Sequence, residues 1–209
     1  MKTLILLFSF LLFNSMIVPN THANIIYRYQ IMPEDAKELN VLGNALGVAG
    51  KSWVSGWPVS AAEFKSEEWT SPTGLYFVVK DTLIRIEGKD EIRVVQFAVK
   101  EINLAGQAFS GTLPDLSFCD LEIFNLGFNN ISGNIPVLYF PKCREIFLNR
   151  TELTGPLPKF DLPELTYLGF FSNKLSGTIP NLNLPKLQTL LLGENQFEGE
   201  IPNFNLPAL

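Results

Sequence analysis

The chain has 209 residues, with 16 basic and 21 acidic side chains, a net charge of −5 and a single histidine, His22. An acidic balance without a basic stripe argues against nucleic acid or an anionic membrane surface as partner. If His22 leaves with the leader described next, histidine-dependent acid–base chemistry and histidine-ligated metal sites are excluded, and no cofactor is expected.

Residues 1–23 have the pattern of a secretory signal peptide. Lys2 supplies the positive charge, the stretch from Leu4 to Val18 is apolar, and Thr21-His22-Ala23 is a small-residue cleavage site. The alternative is a membrane anchor, but Asn14 interrupts the apolar run, which is shorter than the ~20 residues that span a bilayer. We expect cleavage after the small-residue site and a secreted or cell-surface protein, with no membrane insertion after the signal is removed.

Residues 24–92 do not repeat, and we expect them to form an N-terminal cap over the coils that follow. Pro33-Glu34-Asp35 suits the first turn of a helix. An apolar face and a stop signal then follow, formed by Leu39, Leu42, Leu46 and Gly47.

Two later segments of this region alternate apolar and polar residues. Residues 75–79 and 83–86 predict strands joined by a turn at Lys80-Asp81-Thr82, and a second turn is expected at Gly88-Lys89-Asp90. Three tryptophans either form a carbohydrate platform or pack over the first coil; they are Trp53, Trp57 and Trp69. An enzyme using this region as its active domain is a rival hypothesis. We expect no catalysis, because no nucleophile, base and orienting group stand together.

From residue 93 to residue 209 the sequence repeats every 22 residues. The glycine–x–(Ile/Leu)–proline step recurs, with its prolines at Pro114, Pro136, Pro158, Pro180 and Pro202. The same spacing aligns pairs of apolar residues, which are Ile102/Leu104, Phe124/Leu126, Ile146/Leu148, Leu168/Phe170 and Leu190/Leu192. It also aligns one polar position, occupied by Gln107, Asn129, Thr151, Asn173 and Asn195. One coil cannot bury its own apolar face, so this period predicts coils stacked along a single axis.

The coil from Leu165 to Pro180 carries a family resemblance. Its pattern Leu165-x-x-Leu168-x-Phe170-x-x-Asn173-x-Leu175-Ser176-Gly177-Thr178-Ile179-Pro180 resembles the leucine-rich repeat subtype with L-x-G-x-I-P, found in plant receptor ectodomains and secreted bacterial proteins. The cysteine-free N-terminal region is more similar to the bacterial members. The resemblance implies a mostly β, α/β-type solenoid: a right-handed coil of about five repeats with an N-terminal helix-plus-hairpin cap, and a broad recognition role.

The two cysteines, Cys119 and Cys143, are separated by one repeat plus two residues. Stacked coils lie roughly 5 Å apart, and a further offset of two residues strains the Cα–Cα limit of about 7 Å for a disulfide. Two alternatives therefore remain, a disulfide between them or two buried small hydrophobic side chains.

Outward strand positions of a surface sheet should be polar, yet several here are not. The exceptions lie on neighbouring coils and are Phe147, Tyr167, Phe171 and Leu191, with Phe128 beside them. With Asn125 and Glu145 they form a predicted partner-binding surface on the concave face, for a protein or glycan ligand. The alternatives are that these aromatics only stabilise the sheet by packing on each other, or that further coils cover them.

Leu209 lies one repeat after Leu187, at the first core position of a further coil. We therefore expect a fragment of a longer solenoid, with self-association at an open C-terminal edge as the alternative. The function expected is extracellular recognition without catalysis. The alternatives are a fragment of a larger receptor or adhesin ectodomain and an inhibitor of secreted hydrolases.

Overall fold

A computed structural model describes residues 14–18, 25–31, 33–46, 68–70, 75–87, 90–204 and 206–209, with side chains for most of the helix and from Ala98 onward. Within these residues, one helix, α1, spans Pro33–Ala45. The strands in chain order are β1 (Asn14–Val18), β2 (Ile25–Ile31), β3 (Glu68–Thr70), β4 (Leu75–Glu87), β5 (Asp90–Asn103), β6 (Ser110–Thr112), β7 (Leu116–Ser117), β8 (Ile123–Asn125), β9 (Asn130–Asn134), β10 (Leu138–Tyr139), β11 (Glu145–Phe147), β12 (Glu152–Gly155), β13 (Tyr167–Gly169), β14 (Lys174–Gly177), β15 (Thr189–Leu191) and β16 (Gln196–Phe197).

The repeats form a β-solenoid of about four turns of about 22 residues, built from parallel strands. A nine-stranded sheet has the order β1-β2-β5-β8-β11-β13-β15, and β4 pairs with both β3 and β5. A second, five-stranded sheet has the order β16-β14-β12-β9-β6, and β7 pairs with β10. Each coil therefore contributes one strand to the long sheet and one to the second sheet.

The N-terminal region joins the long sheet directly. Strand β5 pairs with β4 and β2 and then continues into the first coil, where it pairs with β8. The expected boundary at residues 92 and 93 falls inside this strand. Strand β1, which lies within the predicted signal peptide, pairs with β2 at the outer end of the sheet.

Of the two turns predicted after residue 75, the first is wrong. Strand β4 runs without a break through Lys80-Asp81-Thr82, and its pairing with β5 shifts register between Val79 and Asp81. The polar triplet is accommodated as a β-bulge, which inserts an extra residue without ending the strand. Gly88 and Lys89 of the second predicted turn lie outside the described residues, and the antiparallel β4–β5 pairing on either side of them reaches Glu87 and Asp90.

Helix α1 begins at Pro33, as predicted. Leu39 and Leu42 on its apolar face and Leu46, directly after its last residue, are buried in the core. Gly47, the expected stop, lies outside the described residues, as do Trp53 and Trp57. Nothing is described of the Trp69 side chain.

Helix α1 is fastened to the first coil by polar contacts and by one close approach. The Val99 amide donates to Asp35 Oδ2 at 2.7 Å, and the Ser117 amide donates to Glu38 Oε2 at 3.1 Å. A Cβ on Gly111 would fall 2.1 Å from the Ala45 carbonyl oxygen, so only glycine permits this contact.

The inward residues of the repeat form one continuous hydrophobic core, as predicted. Most are fully buried, including the phenylalanines Phe118, Phe124, Phe140 and Phe170. The pair in the fifth repeat, Leu190 and Leu192, is partly buried and packs against this core.

The repeated polar position joins adjacent coils. Asn173 Nδ2 donates to the Leu148 and Phe170 carbonyls, and its Oδ1 accepts from the Leu153 amide at 3.0 Å. Asn129 and Asn195 make equivalent bonds. These amides satisfy backbone groups that the stacked coils remove from water.

Thr151 departs from this pattern but still takes part in it. Its hydroxyl lies 3.2 Å from the Leu148 carbonyl and within hydrogen-bond distance of Asn173 Oδ1. A hydroxyl has fewer hydrogen-bonding groups than an amide, so this coil contributes fewer bonds to the ladder, but the ladder continues through it.

The glycines of the repeated step adopt left-handed conformations, with positive φ at Gly111, Gly133, Gly155, Gly177 and Gly199. A residue with a Cβ resists that conformation, so glycine permits the backbone bend at this step of each coil.

The two cysteines are free thiols, and the disulfide alternative is not adopted. Cys143 packs in the core as a small hydrophobic residue, whereas Cys119 is exposed, so the expectation that both are buried is wrong for Cys119. Because one side chain faces the core and the other faces solvent, the two sulfurs do not meet.

Candidate functional site

The 22-residue spacing predicts which outward side chains become neighbours, and the strand register confirms it. Glu145 on β11 lies opposite Ile123 on β8 and Tyr167 on β13. Two residues further along β11, Phe147 lies between Asn125 on β8 and Gly169 on β13. The predicted surface residues therefore lie side by side on the outward face of the long sheet, in columns that cross the coils.

Phe147 and Tyr167 form the centre of this surface. Their ring centroids are 4.3 Å apart with an interplanar angle of 32°, and both side chains are half-buried. The rings lie on adjacent coils, so each covers part of the other and leaves an aromatic surface toward solvent. Such a pair adds rigidity to the sheet face and offers a preformed contact.

Gly169 makes room for this pair. A Cβ at Gly169 would lie 2.9 Å from Tyr167 Cε1 and 2.7 Å from Asn149 Nδ2, closer than real contacts allow. The φ angle of Gly169 is not in the left-handed region, so glycine is required for space rather than for backbone shape. The repeat spacing alone gives no sign of this role, and the glycine inside a strand is the sequence signal that could have identified it.

Phe171 extends the surface along the next column. Its ring lies against Gly193, where a Cβ would be 3.4 Å from Phe171 Cδ2. Its amide donates to Asn149 Oδ1 at 2.8 Å, which fixes the Asn149 side chain across the coil boundary. Leu191 on β15 is 38% exposed and is the last apolar residue of this surface. We call Phe147, Tyr167, Phe171 and Leu191 the aromatic patch.

Phe128 borders the aromatic patch and is the most exposed of its aromatic neighbours, at 61%. Its backbone is left-handed, with φ of 58°, a conformation that bulky residues seldom adopt. The Arg150 guanidinium lies over its ring, 5.6 Å from the centroid. The equivalent residues of the other coils, Gly106, Arg150, Ser172 and Glu194, also have positive φ, so this backbone conformation belongs to the repeat and not to Phe128 alone.

Amide side chains continue the surface toward the first coil. Asn125 Nδ2 donates to Asn103 Oδ1 at 3.0 Å, and Asn125 Oδ1 accepts from the Gly127 amide at 3.1 Å. Asn103 is exposed and Asn125 is half-buried, so the pair offers oriented hydrogen-bonding groups beside the rings.

Charged residues outside this surface pair between coils. Lys142 Nζ lies 2.6 Å from Asp120 Oδ1, and this hydrogen bond raises the pKa of Lys142 above its ordinary value. Four further cross-coil pairs share the one-repeat spacing and are Lys100–Glu122, Arg144–Glu122, Lys174–Glu152 and Lys186–Glu164. Opposite charges one repeat apart are the sequence signal from which these pairs could have been predicted.

Among the described residues, the acidic and thiol side chains form no group of three or more that could hold a metal ion. Within the same part of the chain, no helix is long and apolar enough to cross a membrane. Every buried side-chain nitrogen or oxygen in the described part has a hydrogen-bond partner.

No protein-family model matches the sequence, and a search of curated proteins finds no match. The assignment of a function therefore depends on the fold and the surface alone.

Proposed function

We propose that the chain is a secreted or cell-surface recognition module of the leucine-rich-repeat class, which binds a protein or glycan ligand and performs no catalysis. The binding surface is the outward, concave face of the long sheet, centred on the aromatic patch. Repeat class, secretion and ligand binding are parts of one proposal, each with its own support.

The 22-residue period supports the repeat class. The asparagine ladder and the left-handed glycine of each coil are what the L-x-G-x-I-P pattern requires physically. The segment 1–23 supports secretion. Strand β1 is compatible with its removal, because β1 pairs with β2 alone and lies at the outer end of the sheet.

The Phe147–Tyr167 pair is the single observation that carries the binding role. Outward positions of a sheet face are ordinarily polar. Here Phe147 and Tyr167 occupy outward positions on successive coils, with ring centroids 4.3 Å apart. The stacked coils fix the backbone beneath the rings. A ligand would therefore meet a preformed surface, with little ordering cost on association.

A display experiment tests this role. The full chain is probed with a glycan microarray and with a random peptide library, in parallel with the double variant Phe147→Ser/Tyr167→Ser. A matched control, Val137→Ser/Tyr139→Ser, removes side chains that are 70% and 54% exposed outside the long sheet. The proposal predicts ligands that bind the wild type and the control and lose at least about tenfold in affinity for the double variant.

Two outcomes oppose the proposal. Ligands that bind the wild type and the Phe147/Tyr167 variant equally would place recognition elsewhere on the molecule. Loss of binding accompanied by loss of the cooperative unfolding transition would mean that the two rings serve the fold alone.

A further inference from the structure

The outward face carries one carboxylate in an unusual setting. Glu145 has Ile123 and Tyr167 as its neighbours on the adjacent strands, and Phe147 lies two residues further along its own strand. The Glu145 side chain is half-buried. Among the described side chains none forms a salt bridge with it.

This setting differs from that of acidic residues at other positions of the coil. Glu122 is held by Lys100 and Arg144, and Glu152 is held by Lys174 on the next coil. For Glu145, the positions one repeat away hold an isoleucine and a tyrosine, so the cross-coil cation is missing. A partly desolvated charge without a counter-charge is costly, and a ligand that supplies the cation removes that cost.

The rings beside Glu145 favour the same kind of group. A guanidinium or ammonium group is attracted to an aromatic face, and the attraction grows when water is excluded. This surface already contains one such contact, in which Arg150 lies 5.6 Å from the Phe128 centroid. Phe147 and Tyr167 provide a second aromatic surface, next to an unpaired carboxylate.

A second carboxylate lies in the same column. Glu101 is on the far side of Ile123 from Glu145, two strand spacings away, which is about 10 Å. The net charge of the whole chain is −5, which raises the encounter rate with cationic partners.

We propose that the ligand of the aromatic patch is a peptide segment with lysine or arginine side chains, one of which sits between the Glu145 carboxylate and the Phe147–Tyr167 rings. This inference rests on the proposed binding role of that face. A neutral glycan would also stack on the rings, but it would leave the charge of Glu145 uncompensated. The observations therefore favour the cationic peptide.

The test uses random short peptides displayed on phage and selected against the full chain. Selected sequences are compared with the unselected library for lysine and arginine content, and their affinities are measured for the wild type, Glu145→Gln and Glu152→Gln. The Glu152 variant is the matched control, because it removes the same charge from an exposed residue on the second sheet. We expect enrichment of basic residues, a loss of about tenfold in affinity for E145Q, and no change for E152Q. Affinity should also fall as salt is raised.

The outcomes separate this inference from the proposed function. Peptides that lose affinity for Phe147→Ser/Tyr167→Ser but not for E145Q, or that show no enrichment of basic residues, overturn the inference and leave the proposed function standing. If no peptide is selected and the aromatic patch binds a neutral glycan, the inference is likewise overturned and the proposed function stands. If no ligand depends on Phe147 and Tyr167, both proposals fail.

Discussion

Gly169 and Tyr167, two residues apart on β13, depend on each other: the Tyr167 ring occupies the space that a side chain at position 169 would need. A Cβ there would lie 2.9 Å from Tyr167 Cε1. The shape of the aromatic patch is thus set partly by a residue that contributes no side chain to it.

Replacement of Gly169 by alanine should disturb the patch without removing any polar or aromatic group. The added methyl must push aside the Tyr167 ring or the Asn149 amide, at a cost of about 1–2 kcal/mol in the free energy of unfolding. Ligand affinity should fall with it. Gly177→Ala is a poor control because of its positive φ. The matched control is Thr189→Ala, on the adjacent strand in register with Tyr167. A G169A variant with wild-type stability and affinity would show that the close packing at Gly169 has no role.

Asn173 should be among the most sensitive positions of the solenoid. Asn173→Ala removes two donated bonds to the Leu148 and Phe170 carbonyls and the acceptor of the Leu153 amide. Because the vacated backbone groups are buried, we expect a loss of about 3 kcal/mol in the free energy of unfolding, measured by denaturant titration. Ser172→Ala, next to it and half-buried, serves as the control. A change below about 1 kcal/mol would contradict the role assigned to the ladder.

Thr151 offers the opposite test. In three coils a backbone amide donates to the asparagine of the next coil; these amides belong to Phe109, Leu153 and Leu175. At the equivalent place in the remaining coil, the amide is that of Ile131 and the residue in the asparagine position is Thr151. Thr151→Asn should supply the missing amide and raise the free energy of unfolding by about 1 kcal/mol. A destabilised variant would mean that the hydroxyl contacts of Thr151 are the better solution in this coil.

The two cysteines should react differently. In the native protein a thiol reagent should modify the exposed Cys119 and leave the core residue Cys143 untouched until the chain unfolds. Mass spectrometry after native labelling and after denaturation measures this. Recovery of an unreactive chain in both conditions would indicate a disulfide instead.

Burial also makes stability depend on pH through Cys143. Desolvation raises the pKa of this thiol from 9.0 to about 12, with smaller opposing contributions from backbone hydrogen bonds. Below pH 9 the thiol is protonated in both the folded and the unfolded chain. Above it the unfolded chain loses the proton first, so stability falls as pH rises toward the folded pKa. The slope approaches about 1.4 kcal/mol per pH unit. Cys143→Ala should abolish this part of the slope, and an identical slope in both proteins would refute it.

Export should shorten the chain. If residues 1–23 are a signal peptide, the secreted product begins at Asn24 and lacks strand β1. Intact mass and N-terminal sequencing of the exported protein measure this. An N-terminus at Met1 would contradict the secretion proposal and would keep β1 as a permanent edge of the long sheet.

The 22-residue spacing was sufficient to predict the register of the solenoid, because every coil has the same length. Ile146 and Leu168 had to face the core together, and Phe147 had to lie next to Gly169. Helix α1 was equally readable, since its proline start and its buried leucines are local signals. The predicted turn at Lys80-Asp81-Thr82 failed because a polar triplet suits a bulge as well as a turn, and only the long pairing with β5 decides between them.

The site was predictable in position but not in detail. Repeat spacing placed Tyr167 beside Glu145 and Phe147 one column away, yet the direction of each side chain depends on its neighbours in space. The space-making role of Gly169 follows from two side chains on different coils, and the contact between Arg150 and Phe128 likewise joins side chains of adjacent coils. Neither property is encoded in a single segment of the sequence.

Mapping of backbone amide shifts determines whether ligand binds the outward face of the long sheet at the aromatic patch. The labelled full chain is titrated with the best peptide or glycan from the display experiment, and amide chemical shifts are followed by NMR. If ligand binds the aromatic patch, we expect the largest changes at residues 145–149, 167–171 and 191–193. Changes centred instead on the second sheet, on β12 and β14, would contradict it.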